Sequence, residues 1–367
     1  MKTCVATVAV RTYADSDAIH AEWERLAERV GTVFSSKPSF VRNVVRAQAL
    51  NVEYVTVHRD DRLVALAPLF KVRRGPVVVA KIVGTNLGVP LELLSEDDDS
   101  SDRLLAAIAS RGYMLSADSL IGGERTVKSL IGHRAWTVKA EVRERVPVVR
   151  VQAGRGASDI RGKKSLKRLR QYRNEIGRHS TLRYEVISDR AHLDERWKDI
   201  TALAAKAVEK SDKVNYLVSP HGEFALDFLR DEASAGALCI AGLVVDDVWV
   251  AHEIGIRTRN RMEGWLTHYD SRFAKLQPGH QLIEWFVDNH DALGVSELDQ
   301  GVGVNEIKSA WAKSGYDVLT VSAVPRSWKM SEVWARALST YAPAVSYVRN
   351  AVWSTFGRFK SSTIRIR

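Results

Sequence analysis

The stretch 262–311 constrains the fold most, because two strand-like segments alternate in it with two helix-like segments. Met262–Tyr269 has the composition of a strand, and Pro278 then stands near the first turn of a helix, where its missing N–H costs nothing. The apolar residues of that helix recur at the spacing of one helical face: Leu282, Ile283, Phe286 and Val287. Gly294 ends the helix, and Val295–Asp299 is a second short strand before a last helix. The stretch therefore predicts a strand–helix–strand unit that continues into a further helix.

Ligands in such a unit collect at the carboxyl ends of the strands and at the helix N-terminus, whose free N–H groups attract anions. These positions hold one set of candidate site residues: His268, Tyr269, Gln277, Pro278, Gly279, His280, Gln281 and Asp299. The backbone N–H groups of 279–281 are candidates for binding phosphate. The same residues also suit an ordinary Pro-Gly helix start.

Length and composition predict a two-domain globular protein. The chain has 367 residues, and its apolar fraction of 45% allows each domain to bury a core. The longest apolar run, Ala235–Ala251, is broken by Asp246 and Asp247, so no membrane-spanning segment is predicted. The opening residues favour a first strand over a signal peptide. Cys4 and Cys239 fit no metal spacing and suit reduced thiols, so we expect a cytoplasmic protein, with the inner membrane face as a second option.

The net charge of +10 is concentrated in one segment, because residues 161–183 contain nine basic side chains and one acidic, Glu175. Four apolar residues of this segment share a helical face: Leu166, Leu169, Tyr172 and Ile176. A helix over 161–178 can therefore pack on the protein and turn its cations outward. This basic helix has three interpretations: a solvated face, an anchor for an anionic substrate, CoA or a membrane surface, and a contact for RNA such as tRNA.

Both halves of the chain offer the same order of helix, helix, strand hairpin, strand, helix and strand, which hints at a duplicated architecture. The Gly-rich segment 153–158 separates them and predicts domains at 1–152 and 153–324. A basic tail, 325–367, carries two helical patterns, at 329–340 and 344–356. The fold class expected is α/β in the broad sense (α+β), with a mixed central sheet flanked by helices in each domain.

A spaced motif closes the second half: Asp299, Gly301, Gly303, Lys308 and Trp311. Upstream, Tyr269-Asp270 precedes Pro278-Gly279, and the basic helix stands before the first strand of the domain. In these features the chain resembles the CelD-like acyltransferases, which are linked with exopolysaccharide biosynthesis and have the GNAT (acyl-CoA N-acyltransferase) fold. They are similar in turn to the FemAB-type transferases, which carry two GNAT-like domains in tandem. The chain departs from the motif where Ile307 replaces a tyrosine and Gln300 replaces an aromatic residue.

The resemblance implies two tandem GNAT-like domains, of which 1–152 is degenerate and 153–324 is catalytic, followed by the helical tail 325–367. It implies transfer of an acyl group from acyl-CoA, as a co-substrate and without a metal, to an amine on a sugar or small metabolite. It also implies that two neighbouring strands part near Tyr269 and Asp299 and leave a slot for the acyl-pantetheine arm. The alternatives are a FemAB-like transferase that uses aminoacyl-tRNA and a non-catalytic module that binds nucleic acid or an anionic surface.

Acyl transfer to an amine needs a group that takes the amine proton and a group that polarises the carbonyl. Asp299 could orient or deprotonate the amine, or it could only cap the turn that follows. Lys308 could bind a carboxylate, a phosphate or the developing oxyanion, or it could only pair with Asp299. His268 suits a general base because histidine titrates near neutrality, although a structural role is also open. The further candidates are Tyr269, His252 and His280.

Three other kinds of site are excluded. Gly301-x-Gly303 follows a strand but lacks the third glycine and the later ribose-binding acid of a dinucleotide site. No set of His, Cys and carboxylate residues has the spacing of a metal site. No serine stands in a nucleophile elbow.

Overall fold

The computed structural model describes residues 8–74, 77–209, 214–218 and 222–328. The strands are β1 (Val8–Tyr13), β2 (Val52–Arg59), β3 (Arg62–Arg74), β4 (Val77–Ile82), β5 (Leu94–Ser95), β6 (Met114–Ile121), β7 (Trp136–Arg150), β8 (Leu182–Ile187), β9 (Leu238–Val245), β10 (Val248–Thr258), β11 (Arg261–Tyr269), β12 (Glu297–Asp299) and β13 (Ser314–Pro325). The helices are α1 (His20–Val30), α2 (Pro38–Gln48), α3 (Asp98–Ser110), α4 (Arg125–Gly132), α5 (Ala157–Ile160), α6 (Lys163–Gly177), α7 (Arg190–Val208), α8 (Gly222–Ser234), α9 (Pro278–Asp288) and α10 (Glu306–Trp311). The two helical patterns predicted in the tail lie outside the described residues.

The strands form one mixed sheet in the order β1-β2-β3-β4-β6-β13-β7-β12-β11-β10-β9-β8, with β5 paired to β3 off this path. Adjacent strands are antiparallel except for two parallel pairs, β4–β6 and β11–β12. The predicted class, a mixed sheet flanked by helices, is confirmed. The sequence did not indicate that both halves of the chain would share a single sheet.

The halves are joined because each sends a strand into the other. The last strand, β13, lies between β6 and β7, and β7 in turn pairs with β12. The β7–β13 ladder runs from Ser314 opposite Val148 to Pro325 opposite Trp136. This pairing hides the edges that two separate sheets would expose.

An aromatic cluster also connects the halves. Phe34 and Phe40 come from the N-terminal half, and Phe224, Phe228 and Trp265 come from the C-terminal half. The rings of Phe34 and Phe40 lie 5.6 and 5.3 Å from that of Phe228. These contacts fix the α1–α2 connection of the first half against β11 of the second.

A separate core lies under α9 on the opposite side of the sheet. It includes the predicted apolar face of α9 together with Met262 of β11 and Leu298 of β12. The four apolar residues predicted on the basic helix, now α6, pack against the same core. The strand–helix–strand unit β11–α9–β12 is therefore confirmed, and it places a parallel strand pair beside the start of α9.

Candidate active site

Strands β11 and β12 are neighbours for only three residues. The pairs are Arg261–Glu297, Met262–Leu298 and Glu263–Asp299. Beyond Glu263, β11 continues to Tyr269 along β10, whereas β12 ends at Asp299. The two strands therefore part at Gly264, well before Tyr269, and the slot for an acyl arm stays a prediction.

Two glycines allow the close backbone approach at this point. A Cβ on Gly264 would lie 2.5 Å from Oε1 of Glu253 and 3.4 Å from the Asp299 carbonyl oxygen. A Cβ on Gly301 would lie 2.4 Å from the Gly264 carbonyl oxygen, and Gly301 also has a φ of +67°. Gly301 thus needs glycine, because the atom nearest its Cβ would be backbone; at Gly264 the nearest atom is the end of the Glu253 side chain, which can move. The first glycine of Gly301-x-Gly303 is explained by this approach.

Asp299 is buried at the parting point, with 1% of its surface exposed. Its Oδ2 accepts a hydrogen bond from the Tyr316 hydroxyl at 2.7 Å and lies 3.5 Å from Arg261. Its Oδ1 accepts from the Gly301 N–H at 2.8 Å. Burial raises the pKa of Asp299, and these donors act against the rise. Asp299 therefore caps the turn after β12 and also belongs to a buried polar cluster.

Glu263 lies beside Asp299 and contacts the N-terminal half. The Phe34 N–H donates to its Oε1 at 2.7 Å, and burial together with the Asp299 carboxylate raises the pKa of Glu263 well above its usual value. In the same turn, the Thr32 N–H donates to Glu92 at 2.7 Å, and burial raises the pKa of Glu92 to about 7. The first half of the chain thus forms one wall of the site.

Lys308 lies on α10, directly after the loop that follows β12. Its ammonium group donates to the carbonyl oxygens of Gly301 and Val302, at 3.3 and 3.1 Å. Its positive charge acts against the rise in the pKa values of Asp299 and Glu253. The structure thus brings Lys308 and Asp299 to the same loop.

His268 and Tyr269 lie at the far end of β11. At about 3.3 Å per residue they are roughly 17 and 20 Å beyond Glu263, so the structure does not bring them together with Asp299. His268 is buried, whereas Tyr269 is 42% exposed. The four predicted catalytic residues therefore form two separate pairs.

The hydrogen bonds of the two strand histidines fix their tautomers. Trp249 Nε1, which can only donate, donates to His252 Nδ1 at 3.1 Å. Burial lowers the pKa of His252 well below its usual value, so the ring is neutral and carries its proton on Nε2. That N–H donates to His268 Nδ1 at 3.0 Å. A neutral His268 then carries its proton on Nε2, which opposes a role as general base.

The start of α9 uses most of its own backbone donors. The Gln277 carbonyl accepts from the N–H groups of both His280 and Gln281, at 3.0 and 3.2 Å. Pro278 has no N–H. Of the predicted phosphate-binding amides, only that of Gly279 is without a backbone partner among the described residues.

Two side chains at the start of α9 make hydrogen bonds to neighbouring elements. The Gln281 amide donates to the carbonyl oxygens of Leu169 and Leu276, both at 3.1 Å, and so ties α6 to α9. His280 Nδ1 accepts from the Trp311 indole at 2.9 Å, and burial lowers the pKa of His280.

Sequence reasoning missed four polar residues nearest the parting point: Glu253, Arg261, Glu263 and Tyr316. Glu253 could have been noticed in the sequence, because a glutamate within an apolar strand such as β10 is seldom buried unless it is paired. Tyr316 carried none, because its position beside Asp299 depends on where β13 enters the sheet.

Among the described residues, no group of three or more His, Cys, Asp and Glu side chains could hold a metal ion. None of the described helices is both long and apolar enough to span a membrane.

Comparisons with known proteins assign part of the chain to a family. Residues 163–309 match the acetyltransferase (GNAT) domain family. A search of curated protein sequences gives no significant match.

Solved structures share the fold over nearly the whole chain. FemX is 8% identical with a TM-score of 0.63, over 89% of this chain and 99% of that chain. A conserved protein of unknown function from Bacteroides thetaiotaomicron is 11% identical with a TM-score of 0.54, over 86% and 100%. The C-terminal domain of a putative lysylphosphatidylglycerol synthetase from Agrobacterium fabrum is 13% identical with a TM-score of 0.52, over 89% and 95%. At these identities the similarity shows the fold alone. The chain thus carries a GNAT-type acyltransferase domain within a fold that it shares with FemX.

Proposed function

We propose that the chain is an N-acyltransferase that moves an acyl group from acyl-CoA to an amine acceptor where β11 and β12 part. The observation that carries the proposal is the three-residue ladder of these strands, which ends inside the segment that matches the GNAT domain. By the resemblance to GNAT proteins, an extended thioester arm lies between two strands that diverge. By the resemblance to CelD-like proteins, the acceptor is an amino sugar or a small metabolite of envelope or exopolysaccharide assembly.

In this reaction the amine nitrogen attacks the thioester carbonyl, the C–N bond forms, the C–S bond breaks, and one proton moves from the amine to the departing sulfur. Asp299, which already accepts from Gly301 and Tyr316, acts as the positioning group for the Tyr316 hydroxyl. Lys308 supplies positive charge to the same loop and favours the developing oxyanion. His268 and Tyr269 stand at the outer end of the slot.

We propose that the phosphates of the donor bind at the start of α9, where the Gly279 N–H has no backbone partner among the described residues and can donate to an anion. Gln277, His280 and Gln281 shape this end of the slot through their contacts with neighbouring elements. The acceptor side of the site is bounded by the N-terminal half, where Phe34 contacts Glu263 of β11.

A panel of acyl-CoAs monitored by intact-ligand mass spectrometry tests the proposal, together with thermal shift for each donor. We expect one donor class to raise the melting temperature and to be consumed with a suitable amine. The variant Asp299→Asn should lower turnover about tenfold or more with the fold intact. Unchanged turnover in that variant would remove Asp299 from the mechanism.

A second candidate, transfer from aminoacyl-tRNA, is favoured by the exposed cations of α6. Five basic side chains stand on its exposed surface without an ion-pair partner among the described residues: Lys163, Lys164, Lys167, Arg168 and Arg170. Charge reversal at Lys167, Arg168 and Arg170 should weaken tRNA binding strongly and leave a CoA-dependent reaction unchanged. Binding of tRNA that falls steeply with salt, without any donor consumption, would point to the non-catalytic alternative. Binding to anionic vesicles in place of tRNA would assign α6 to a membrane surface.

A further inference from the structure

The N-terminal half contains a second pair of parallel strands that part. β4 and β6 are neighbours for only three residues, from Val79 opposite Met114 to Lys81 opposite Ser116. The β11–β12 ladder is also parallel and also three residues long. The order of elements that the two halves share therefore extends to this detail, and it gives the N-terminal half a parting point of its own, between β4 and β6.

The gap between β4 and β6 is filled by the N-terminal half itself. The Leu91 N–H donates to the Ser119 carbonyl oxygen at 2.8 Å, and the Leu91 carbonyl oxygen accepts from the Ile121 N–H at 3.0 Å. These two bonds place Leu91 opposite Leu120, on the edge of β6 that β13 leaves free. Leu91 is 1% exposed, and a Cβ on Gly84 would lie 2.9 Å from its side chain. Protein therefore occupies the N-terminal parting point.

The next residue, Glu92, binds the turn that contacts the C-terminal half. It is 5% exposed, and its Oε1 accepts from the N–H groups of Thr32 and Val33 at 2.7 and 3.1 Å. Its Oε2 accepts from the Thr32 hydroxyl at 2.8 Å. The following N–H, that of Phe34, donates to Glu263 of β11 at 2.7 Å. Three successive backbone N–H groups are thus divided between two buried carboxyl groups, one from each half.

This arrangement makes the position of the Phe34 N–H depend on Glu92. Successive amides of a short turn are coupled, because each peptide unit between them is rigid and planar. Glu92 holds the first two amides of the turn, and the pairing of Leu91 with β6 holds the backbone beside Glu92. Glu263, which accepts from the third amide, stands opposite Asp299 in the β11–β12 register. A shift of the turn would therefore change the hydrogen bonding beside Asp299.

We infer that Glu92 is a positioning residue of the acceptor side, because it fixes the turn 32–34 and so places the Phe34 N–H against Glu263. The inference rests on the proposed function, which takes the contact between Phe34 and Glu263 as the boundary of the acceptor side. Glu92 acts through its reach rather than its charge, since the three bonds above come from neutral donors. The segment that fills the N-terminal gap thereby gains a role, because it carries Glu92 to the turn.

Two substitutions separate reach from charge. Glu92→Asp keeps the charge but shortens the side chain by one methylene, about 1.5 Å, which is more than these hydrogen bonds tolerate. Glu92→Gln keeps the length and a carbonyl oxygen that can accept from the two N–H groups, but it carries no charge. Glu53→Asp is the matched control, because it shortens a glutamate of the same half that accepts instead from Arg111 and Tyr113.

Initial rates with acetyl-CoA and glucosamine, or with the donor and amine that the acyl-CoA panel selects, give kcat and the KM for the amine. Titration calorimetry with coenzyme A measures the donor side, and hydrogen exchange reports on the amides of 32–34. We expect Glu92→Asp to raise the KM for the amine about tenfold or more, to speed exchange at 32–34 and to leave the affinity for coenzyme A unchanged. Glu92→Gln and Glu53→Asp should stay within about threefold of the wild type in the KM for the amine.

An effect of Glu92→Gln as large as that of Glu92→Asp would assign Glu92 a role through its charge and overturn the inference. An unchanged KM in Glu92→Asp would overturn it too, as would an equal loss of affinity for coenzyme A, which would indicate general damage to the fold. If Glu92→Asp does not fold, Thr32→Val takes its place, because it removes only the hydroxyl bond to Glu92, and an unchanged KM for the amine would again overturn the inference. These outcomes leave the proposed function standing, whereas a wild type that consumes no acyl-CoA with any amine would remove both.

Discussion

The buried carboxyl groups at the parting point differ in the hydrogen bonds that stabilise them, and this difference separates their roles. Asp299 accepts hydrogen bonds from a hydroxyl and a backbone N–H, Glu263 accepts one from Phe34, and Glu253 has no such partner among the described residues. A fully bonded carboxylate holds its neighbours in place. For Glu253, the charge of Lys308 favours the ionised form. Residue type alone therefore did not distinguish a hydrogen-bonded positioning group from a buried carboxyl group without hydrogen bonds.

The Tyr316 hydroxyl is expected to hold the pKa of Asp299 down. In Tyr316→Phe this hydrogen bond is lost, and the pKa of Asp299, which burial already raises, rises further. If the ionised form is required, kcat/KM falls about tenfold near neutrality and the acidic limb of the pH–rate profile moves to higher pH. Tyr113→Phe is the control, because that hydroxyl donates to Glu53 in the N-terminal half at 3.3 Å. An unshifted profile in Tyr316→Phe would exclude Asp299 as the titrating group.

Glu253 should also make stability depend on pH. Its ordinary pKa is 4.5 and its pKa in the folded protein is about 7, so the folded state binds the proton more tightly than the unfolded state. The stabilisation that the folded state gains from this proton is therefore fully present below about pH 4.5 and is lost as the pH rises through 7. Between pH 4.5 and 8, the free energy of unfolding of Glu253→Gln should rise by about 3 kcal/mol relative to that of the wild type. Urea unfolding at both pH values measures this difference, and a constant difference would contradict it.

At the scale of elements, the sequence predicted the unit β11–α9–β12. The apolar side chains of α9 recur on one helical face, and Pro278 marks the start of the helix. The parting of β11 and β12 was expected, but its position was not. That position depends on the contact of Gly301 with the Gly264 carbonyl oxygen, a long-range approach that no local pattern encodes. The separation of His268 from Asp299 follows from it, because β11 continues along β10 to Tyr269 after β12 has ended.

Substituting the two glycines of the loop after β12 can separate the effect of backbone strain from the effect of a close backbone contact. Gly301 and Gly303 both have positive φ, at +67° and +91°, but only Gly301 would bring a Cβ against backbone; at Gly303 there is open space. Gly303→Ala should cost about 1 kcal/mol of stability through its backbone conformation. Gly301→Ala should cost more and should also weaken donor binding, since β11 and β12 must shift. Chemical unfolding and donor titration of both variants measure this, and equal effects on stability would argue against the close approach.

At the scale of the whole molecule, the strand exchange makes each half incomplete without the other. The sequence showed the duplicated order of elements, but strand order depends on pairings between residues more than 150 positions apart, such as Ser314 with Val148. Because of the exchange, the segment that matches the GNAT domain, 163–309, does not contain every strand beside the site. Through Phe34 and β7 the N-terminal half supplies a wall and a neighbouring strand to the site in the second half. The proposed boundary near 152 and 153 therefore divides the chain but not the sheet.

A split at that boundary tests this dependence. Expressed alone, 153–367 lacks β7, so β12 and β13 lose their common neighbour, and we expect no cooperative unfolding transition by circular dichroism. Co-expression with 1–152 should restore a soluble complex that unfolds cooperatively, because β7 and β13 can again pair along their whole length. Cleaving the intact protein at an inserted protease site within the exposed joint at 153–155 provides the control, since the nicked chain should stay assembled. A cooperative transition and donor binding by 153–367 alone would show that the second half is an independent domain.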